Sequence, residues 1–204
     1  MPDVKNSRSR GRPRAFDRDA ALELAMGVFW AEGYGHASIP LLTDAMGISA
    51  QSLYAAFGSK EELYRETVER YRTSVGGFIT RAMEEEKEVL AAMERLLREA
   101  AVAFTCTAAT PGCMVTMAPS GTEESGLVAY GRHLRADALQ KVTDRLRQGI
   151  DEGQLRTDVS CDAWARYIIS VLQGLSVQAR DMASKDELLA AVSVVVQSLQ
   201  FLKL

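Results

Sequence analysis

The positions of the prolines constrain the fold of this chain more than any other feature. All five lie at positions 2, 13, 40, 111 and 119, so the stretches 41–110 and 120–204 contain none. Proline disrupts a helix because it lacks a backbone N–H and its ring clashes with the preceding turn. Within 89–104 the apolar residues recur at i, i+3, i+4 and i+7 with charged residues between them, and strand-like alternation is absent over any useful length. The sequence therefore predicts an all-α fold.

Capping residues divide this helical sequence into segments. Asp17, Ser38 and Ser49 are candidate N-caps, and Gly33 is a candidate helix terminator. Ser-x-x-Glu capping boxes occur at 59–62 and at 184–187. The predicted helices run over 17–33, 38–46 and 49–57, then from 59, over 87–106, 122–152 and 160–182, and from 184 onward. The longest predicted break is 107–121, which contains the two late prolines.

Charge is distributed unevenly along the chain. The whole carries 24 basic and 27 acidic residues, a net charge of −3, which argues against a protein that coats nucleic acid by bulk charge. Residues 5–18, however, contain six basic residues, among them Arg12 and Arg14, against one acidic residue, Asp17. This pattern predicts an N-terminal arm that binds a polyanion; a solubilising tail is the alternative.

Residues 38–57 have the pattern of two short helices joined by a tight turn. Gly47 suits the turn because a residue without Cβ adopts positive φ at little cost. Leu42, Met46 and Leu53 are spaced to hold two crossing helices together. This is the pattern of a helix-turn-helix, whose second helix enters the DNA major groove, although a plain helical hairpin shares it.

Polar residues on the second of these helices favour DNA binding. Gln51 can hydrogen-bond both N6 and N7 of adenine, and the hydroxyls of Ser49 and Ser52 suit base edges or phosphates. Tyr54 has a ring suited to inward packing and a hydroxyl suited to a phosphate, and Lys60 adds a cation at the start of the next helix.

Four sequence segments carry a family resemblance: "GRPRAFDRD" (11–19), "FWAEGY" (29–34), "AMGIS" (45–49) and "LYAAFGSKEEL" (53–63). With these segments the chain resembles the TetR family of bacterial transcriptional regulators. The chain departs from the family pattern in Thr43 at the helix contact, in Pro40 within the second helix, and in Ala56 where a histidine is common. These departures leave the operator sequence open. The resemblance implies DNA contacts at Ser38, Ala50, Gln51, Ser52, Tyr54 and Lys60, beside Ser49 and the arm residues Arg12 and Arg14.

The resemblance also implies an architecture and a mechanism. It predicts a basic arm at 1–14, a DNA-binding domain at 15–63 and a helical effector-binding and dimerisation domain at 64–204. The expected protein is a homodimer that binds a palindromic double-stranded operator as a repressor and is released by a small-molecule effector, with no cofactor and no metal. Apolar stripes in 160–182 and 184–204 predict a dimer interface at Val171, Leu175, Val192, Val195, Val196 and Leu199.

The middle helices supply candidates for the effector pocket and for a second trigger. Methionine and aromatic side chains line apolar pockets, and they also fill protein cores. The candidates of this kind are Met93, Phe104, Met114, Met117, Tyr130, Trp164 and Tyr167. Cys113 follows Pro111–Gly112 near an expected helix start, where free N–H groups favour a thiolate. Oxidation or alkylation of Cys113 is thus an alternative trigger, and an inert buried thiol is the third possibility.

Enzymatic motifs are not found in the sequence. The two histidines, His36 and His133, form neither an HExxH helix nor a zinc-ligand spacing with cysteine, and no G-x-S-x-G or G-x-G-x-x-G motif occurs. A helical scaffold without operator binding remains the alternative from another class. Three cysteines, no apolar leader and no apolar stretch long enough to span a bilayer favour the cytoplasm.

Overall fold

The computed structural model describes residues 16–121 and 126–204, and these fold into α-helices without a β-sheet. A single antiparallel bridge joins Leu155 to Lys203. The predicted all-α fold is confirmed. The helices are α1 (Arg18–His36), α2 (Ile39–Met46), α3 (Ala50–Phe57), α4 (Lys60–Thr73), α5 (Phe78–Glu85), α6 (Val89–Phe104), α7 (Gly126–Asp151), α8 (Cys161–Arg180) and α9 (Lys185–Leu199), with 3-10 turns at Val75–Gly77 and Gln200–Leu202.

Most of the predicted capping residues begin helices as expected. Asp17 accepts bonds from the backbone of α1, and the hydroxyls of Ser38 and Ser49 do the same for α2 and α3. Ser184 and Glu187 form a complete capping box at α9. The second predicted box is incomplete, because the N–H of Ser59 donates to Phe57 O instead of to a glutamate.

The region between α4 and α6 differs from the expected layout. The sequence predicts no helix of its own for 75–86, but α4 ends at Thr73 and α5 begins at Phe78 after the 3-10 turn. A Cβ added at Gly76 would lie 2.2 Å from Cε1 of Tyr71. The backbone therefore lies so close to the Tyr71 ring that only glycine fits at this position. Elsewhere the differences are small: Gly33 breaks the helical dihedrals of α1 at φ 72°, and α9 ends at Leu199 before the final 3-10 turn.

Two packed groups of helices meet along α4. In the first, α1 packs on α2 and α4 through edge-to-face ring pairs, Phe29 with Tyr64 and Trp30 with Tyr71. In the second, α6 is the central helix, in contact with α5, α7, α8 and α9. α4 carries Lys60 at one end and Tyr71 near the other, about 17 Å apart at 1.5 Å rise per residue. Among the helices of 16–121 and 126–204, none combines the length and apolarity needed to cross a membrane.

Candidate DNA-binding surface and internal cavity

Helices α2 and α3 form a helix-turn-helix through a short left-handed turn. Gly47 lies at φ 65° and ψ 29°, and the N–H of Ile48 donates to Thr43 O over 3.1 Å. Leu42 and Leu53 are completely buried where the helices cross. The burial of these two side chains fixes which face of α3 points away from the protein.

The outward face of α3 carries Ala50, Gln51, Tyr54 and Ala55, all exposed. Tyr54 is 47% exposed, so its ring lies on the surface rather than packing inward as the sequence pattern suggested. Ser52 is only partly exposed, and its hydroxyl lies 3.0 Å from that of Ser49. Gln51 is therefore the exposed side chain of α3 best suited to hydrogen-bond a base edge.

Helix α2 accommodates two of the departures from the family pattern, Pro40 and Thr43. The hydroxyl of Ser38 accepts a bond of 3.3 Å from Leu41 N, and Pro40 lies in the first turn, where its missing N–H costs little. Thr43 donates to the backbone oxygens of Ile39 and Pro40, each over 3.0 Å, so its hydroxyl is satisfied within its own helix.

Lys60 is held against Tyr34 at the edge of this surface. Its Nζ donates to Tyr34 O over 2.7 Å and lies 4.3 Å from the centre of the Tyr34 ring. Partial burial lowers the pKa of Lys60 from its usual value. An ammonium group has three donors, so Lys60 can keep this bond and still donate to a phosphate. The sequence pattern did not identify the supporting role of Tyr34.

The helix-turn-helix region is acidic without its arm. Residues 16–63 contain two basic residues, Arg18 and Lys60, and seven acidic ones. Arg18 is already engaged: it pairs with Glu66 at 2.8 Å and stacks over the Phe57 ring. The net charge of 16–63 is therefore −5 with histidine neutral, and the predicted arm contacts Arg12 and Arg14 lie outside the described residues.

A cavity in the C-terminal group of helices lies beside the end of α4. Its volume is about 50 Å³, and it is partly open to solvent. One wall is apolar, and a polar edge carries Arg72, which pairs with Asp137 at 2.6 Å. Tyr71 and Cys113 also line it. The apolar wall consists of Phe78, Ile79, Val115, Leu134, Ala138, Ile169 and Leu172.

Comparison with known proteins identifies the family. Residues 21–67 match the model for bacterial regulatory proteins of the tetR family. The HTH-type transcriptional repressor ComR of Escherichia coli is 35% identical over 188 residues, which cover 89% of this chain and 88% of ComR. The chain belongs to the TetR family.

Solved structures agree with this membership of the TetR family. One solved structure is a cysteine mutant of the TetR family regulator CifR, complexed with a 26-base-pair double-strand operator DNA. It is 40% identical in sequence and has a TM-score of 0.84. The match covers 91% of this chain and 98% of the CifR chain. A putative TetR regulator from Rhodococcus sp. RHA1 is 34% identical with a TM-score of 0.62, covering 92% and 100%. The similarity thus extends through the C-terminal helices and beyond the helix-turn-helix.

The seven predicted pocket residues of this TetR-family chain lie in three different environments, and none of them lines the cavity. Met93, Phe104 and Met114 are buried in the core. Met117 is 43% exposed, and the hydroxyl of Tyr130 donates to Glu69 of α4 on another surface. The remaining pair, Trp164 and Tyr167, forms an edge-to-face ring contact at the surface of α8, beside Ser198.

The predicted dimer residues also divide between core and surface. Leu175, Val192, Val195 and Leu199 are at most 5% exposed in the isolated chain, so their side chains fill its own core. Val171 and Val196 are partly exposed. The apolar surface on α8, α9 and the following residues is formed by other side chains: Tyr167, Val177, Met182, Val194 and Phe201, with Trp164 partly exposed.

The segment 107–121 connects the two groups of helices. Trp30 of α1 donates from Nε1 to Gly112 O over 3.1 Å. Arg180 of α8 donates to Trp30 O at 3.1 Å and Ala31 O at 3.0 Å. Cys113 donates from its backbone to Ser176 Oγ over 2.9 Å. Cys113 does not begin a helix as predicted, because 114–117 is a turn.

Sequence reasoning missed Tyr71 and Gly112. Tyr71 lies seven residues after Tyr64 on α4, a spacing that places both on one helix face, and this was the available signal. Gly112 has φ 80°, and a Cβ there would lie 2.8 Å from Ser176 O. Its contacts join residues more than 60 positions apart, which local patterns do not reveal.

Proposed function

We propose that this chain is a transcriptional repressor that binds a palindromic operator as a homodimer and leaves it when a small molecule occupies the C-terminal cavity. The observation that carries the proposal is the outward face of α3. Gln51 and Tyr54 point to solvent while Leu53 fixes the helix in the core. A helix presented in this way fits the major groove.

The proposed DNA contacts divide into two kinds. Gln51, with Ala50 beside it, contacts base edges, whereas Ser38, Tyr54 and Lys60 contact phosphates. Ser49 and Ser52 fix the start of α3 through their mutual hydroxyl contact. Arg12 and Arg14 of the arm add charge along the backbone and reach the neighbouring minor groove.

Dimerisation is needed because one helix-turn-helix contacts only a few base pairs. Two copies related by a twofold axis contact two half-sites of a palindrome at a separation set by the protein. Val194 is 66% exposed and Tyr167 is 41% exposed on adjacent helices, and both support an interface at α8 and α9. The ring of Trp164 lies beside Tyr167 and belongs to the same proposed interface.

Effector release follows from the position of the cavity. Tyr71 lines the cavity and packs on Trp30 of α1, so a ligand that displaces Tyr71 also acts on the helix-turn-helix group. The dimer has one arrangement that fits the operator and another in which the helix-turn-helix units have the wrong separation. A ligand weakens operator binding only to the extent that it binds the second arrangement more tightly than the first. In this proposal the protein is cytoplasmic and binds operator DNA in the nucleoid.

Selection of bound duplexes from a random pool tests the proposal. The full-length protein is expected to enrich an inverted repeat, and the Gln51→Ala variant to enrich a more degenerate sequence. Gln140→Ala is the matched control, since Gln140 is an exposed glutamine on α7. Absence of enrichment by the unaltered protein would favour a helical scaffold without operator binding.

A further inference from the structure

The cavity contains a nucleophilic side chain that the proposed noncovalent release does not use. Cys113 lines the cavity, is 4% exposed and is a free thiol. Its backbone is fixed on α8 by the bond to Ser176, so the thiol does not swing freely between sites. Cys106 of the same segment is exposed, and Cys161 is buried away from the cavity at the start of α8.

A second group in the cavity points to a ligand. The Tyr71 side chain is only 1% exposed, and its hydroxyl, which lies near Cys113 and the backbone of Met114, makes no hydrogen bond of ordinary geometry within the described part of the chain. A buried hydroxyl without a well-formed hydrogen bond is destabilising, and a ligand oxygen placed there removes that cost. Burial, followed by the neighbouring Cys113, raises the pKa of Tyr71 well above its usual value, so the group remains a proton donor near neutral pH.

We propose that Cys113 and Tyr71 form a covalent sensing site for small uncharged α,β-unsaturated aldehydes and ketones, and that addition of such a compound to Cys113 releases the repressor from DNA. The regulatory half of this inference rests on the proposed function. The apolar wall suits an uncharged carbon skeleton, and the Tyr71 hydroxyl suits its carbonyl oxygen.

The reaction is a conjugate addition that balances without a further reactant. The sulfur of Cys113 bonds to the β-carbon while the electrons of the carbon–carbon double bond move toward the carbonyl oxygen. Tyr71 donates a hydrogen bond to that oxygen and stabilises its developing charge. The thiol loses one proton and the α-carbon gains one, so no oxidant is consumed and no leaving group departs.

The adduct has little room unless the segment 107–121 shifts. Gly112 precedes the modified residue, and its α-carbon already lies so close to α8 that an added Cβ would be 2.8 Å from Ser176 O. If the segment 107–121 moves away from α8, the oxygen of Gly112 moves relative to Trp30 Nε1, which donates a hydrogen bond to that oxygen. The adduct therefore acts on α1, and through α1 on the spacing of the paired helix-turn-helix units.

Single-cysteine proteins and methyl vinyl ketone test the site without DNA. Cys106→Ser combined with Cys161→Ser retains only Cys113, whereas Cys106→Ser combined with Cys113→Ser retains only Cys161. Cys161 is a matched control because it is also buried, at 8% exposure. Intact-protein mass spectrometry is expected to show addition of one probe molecule at least about tenfold faster at Cys113, and about tenfold slower again when Tyr71→Phe is added.

Several results would overturn the site. They are equal rates at the two buried thiols, an unchanged rate in Tyr71→Phe, or modification of Cys113 by hydrogen peroxide but not by the ketone. A urea unfolding curve checks that the Tyr71→Phe variant is folded. If the variant is not folded, the modified cysteines of the unaltered chain are mapped instead. Modification of Cys161 as fast as Cys113 in that chain would count against the site.

DNA release is measured separately on a duplex enriched by the random selection. The modified unaltered protein is expected to lose affinity at least about tenfold, and Cys113→Ser treated in the same way to retain it. Modification at Cys113 without loss of affinity would contradict the regulatory half alone. Failure of the unmodified protein to bind any duplex would contradict the proposed function and leave the modification rates as the test of the site.

Discussion

The indole Nε1 of Trp30 donates a 3.1 Å hydrogen bond to the backbone oxygen of Gly112, which joins the first helix to the segment that borders the cavity. The same indole packs edge-to-face on Tyr71, with the ring centres 4.9 Å apart. Both Tyr71 and the neighbour of Gly112, Cys113, line the cavity. Trp30 thus connects the first helix to two parts of the cavity wall, the Tyr71 ring and the segment that contains Cys113.

Replacement of Trp30 by phenylalanine should destabilise the protein. The change leaves the buried oxygen of Gly112 without its donor and removes volume from a site that is 5% exposed. We expect a loss of about 2–4 kcal/mol in the free energy of unfolding, measured by urea denaturation. Tyr54→Phe, measured without DNA, is the control, because Tyr54 is 47% exposed on α3. Equal losses in the two variants would contradict the role assigned to Trp30.

Gln51 and Lys60 should affect DNA binding in different ways. Gln51→Ala is expected to lower affinity for the enriched duplex by about 1–3 kcal/mol and to relax the preference at one position of each half-site. Lys60→Ala is expected to weaken all duplexes by a similar factor. Fluorescence anisotropy against enriched and single-mismatch duplexes measures both effects.

The exposed lysine at the start of α9, Lys185, provides the control for Lys60. Lys185→Ala should bind all duplexes as the unaltered protein does. The same loss of specificity from Gln51→Ala and Lys60→Ala would show that base and phosphate contacts are not divided as proposed.

The N-terminal arm should supply most of the salt dependence of binding. Residues 16–63 are net acidic, whereas the five cations of the arm are Lys5, Arg8, Arg10, Arg12 and Arg14. Replacing these five by glutamine keeps the length and removes the charge. We expect a strong loss of affinity, and a slope of log affinity against log salt that is less steep by about 0.9 for each phosphate that the arm no longer neutralises.

Anisotropy titrations between low and moderate salt measure that slope. A charge-neutral arm that leaves both slope and affinity unchanged would mean that the arm is a solubilising tail.

The local features of the fold could be predicted from the sequence because caps and helical spacing act over a few residues. Asp17, Ser38, Ser49 and Ser184 begin helices as expected. The separate helix α5 was missed because the break before it depends on the approach of Gly76 to Tyr71, a contact between segments rather than a local preference.

The cavity could not be located from the sequence, because methionine and aromatic residues serve equally in cores and in pockets. Met93 and Phe104 are completely buried beside other core residues, whereas the cavity lies between Tyr71 and Cys113. The predicted dimer residues divide between core and surface for a related reason. α9 has valines on both sides, and the pattern does not distinguish Val192, which is buried, from Val194, which is 66% exposed.

The exposed valine of α9 should therefore control dimerisation. Val194→Lys places a charge in the proposed interface and is expected to shift the protein toward monomer in analytical ultracentrifugation, with little change in helical content. Val102→Lys is the control, since Val102 is an exposed valine on α6. A Val194→Lys protein that remains dimeric would place the interface elsewhere.

The most direct test of operator binding is the ratio of two affinities at one salt concentration. Full-length protein is titrated against its enriched duplex and against a shuffled duplex of the same length and composition. The account predicts that the enriched duplex binds about a thousandfold or more tightly, the range of sequence-specific binding. Equal affinity for the two duplexes would contradict it.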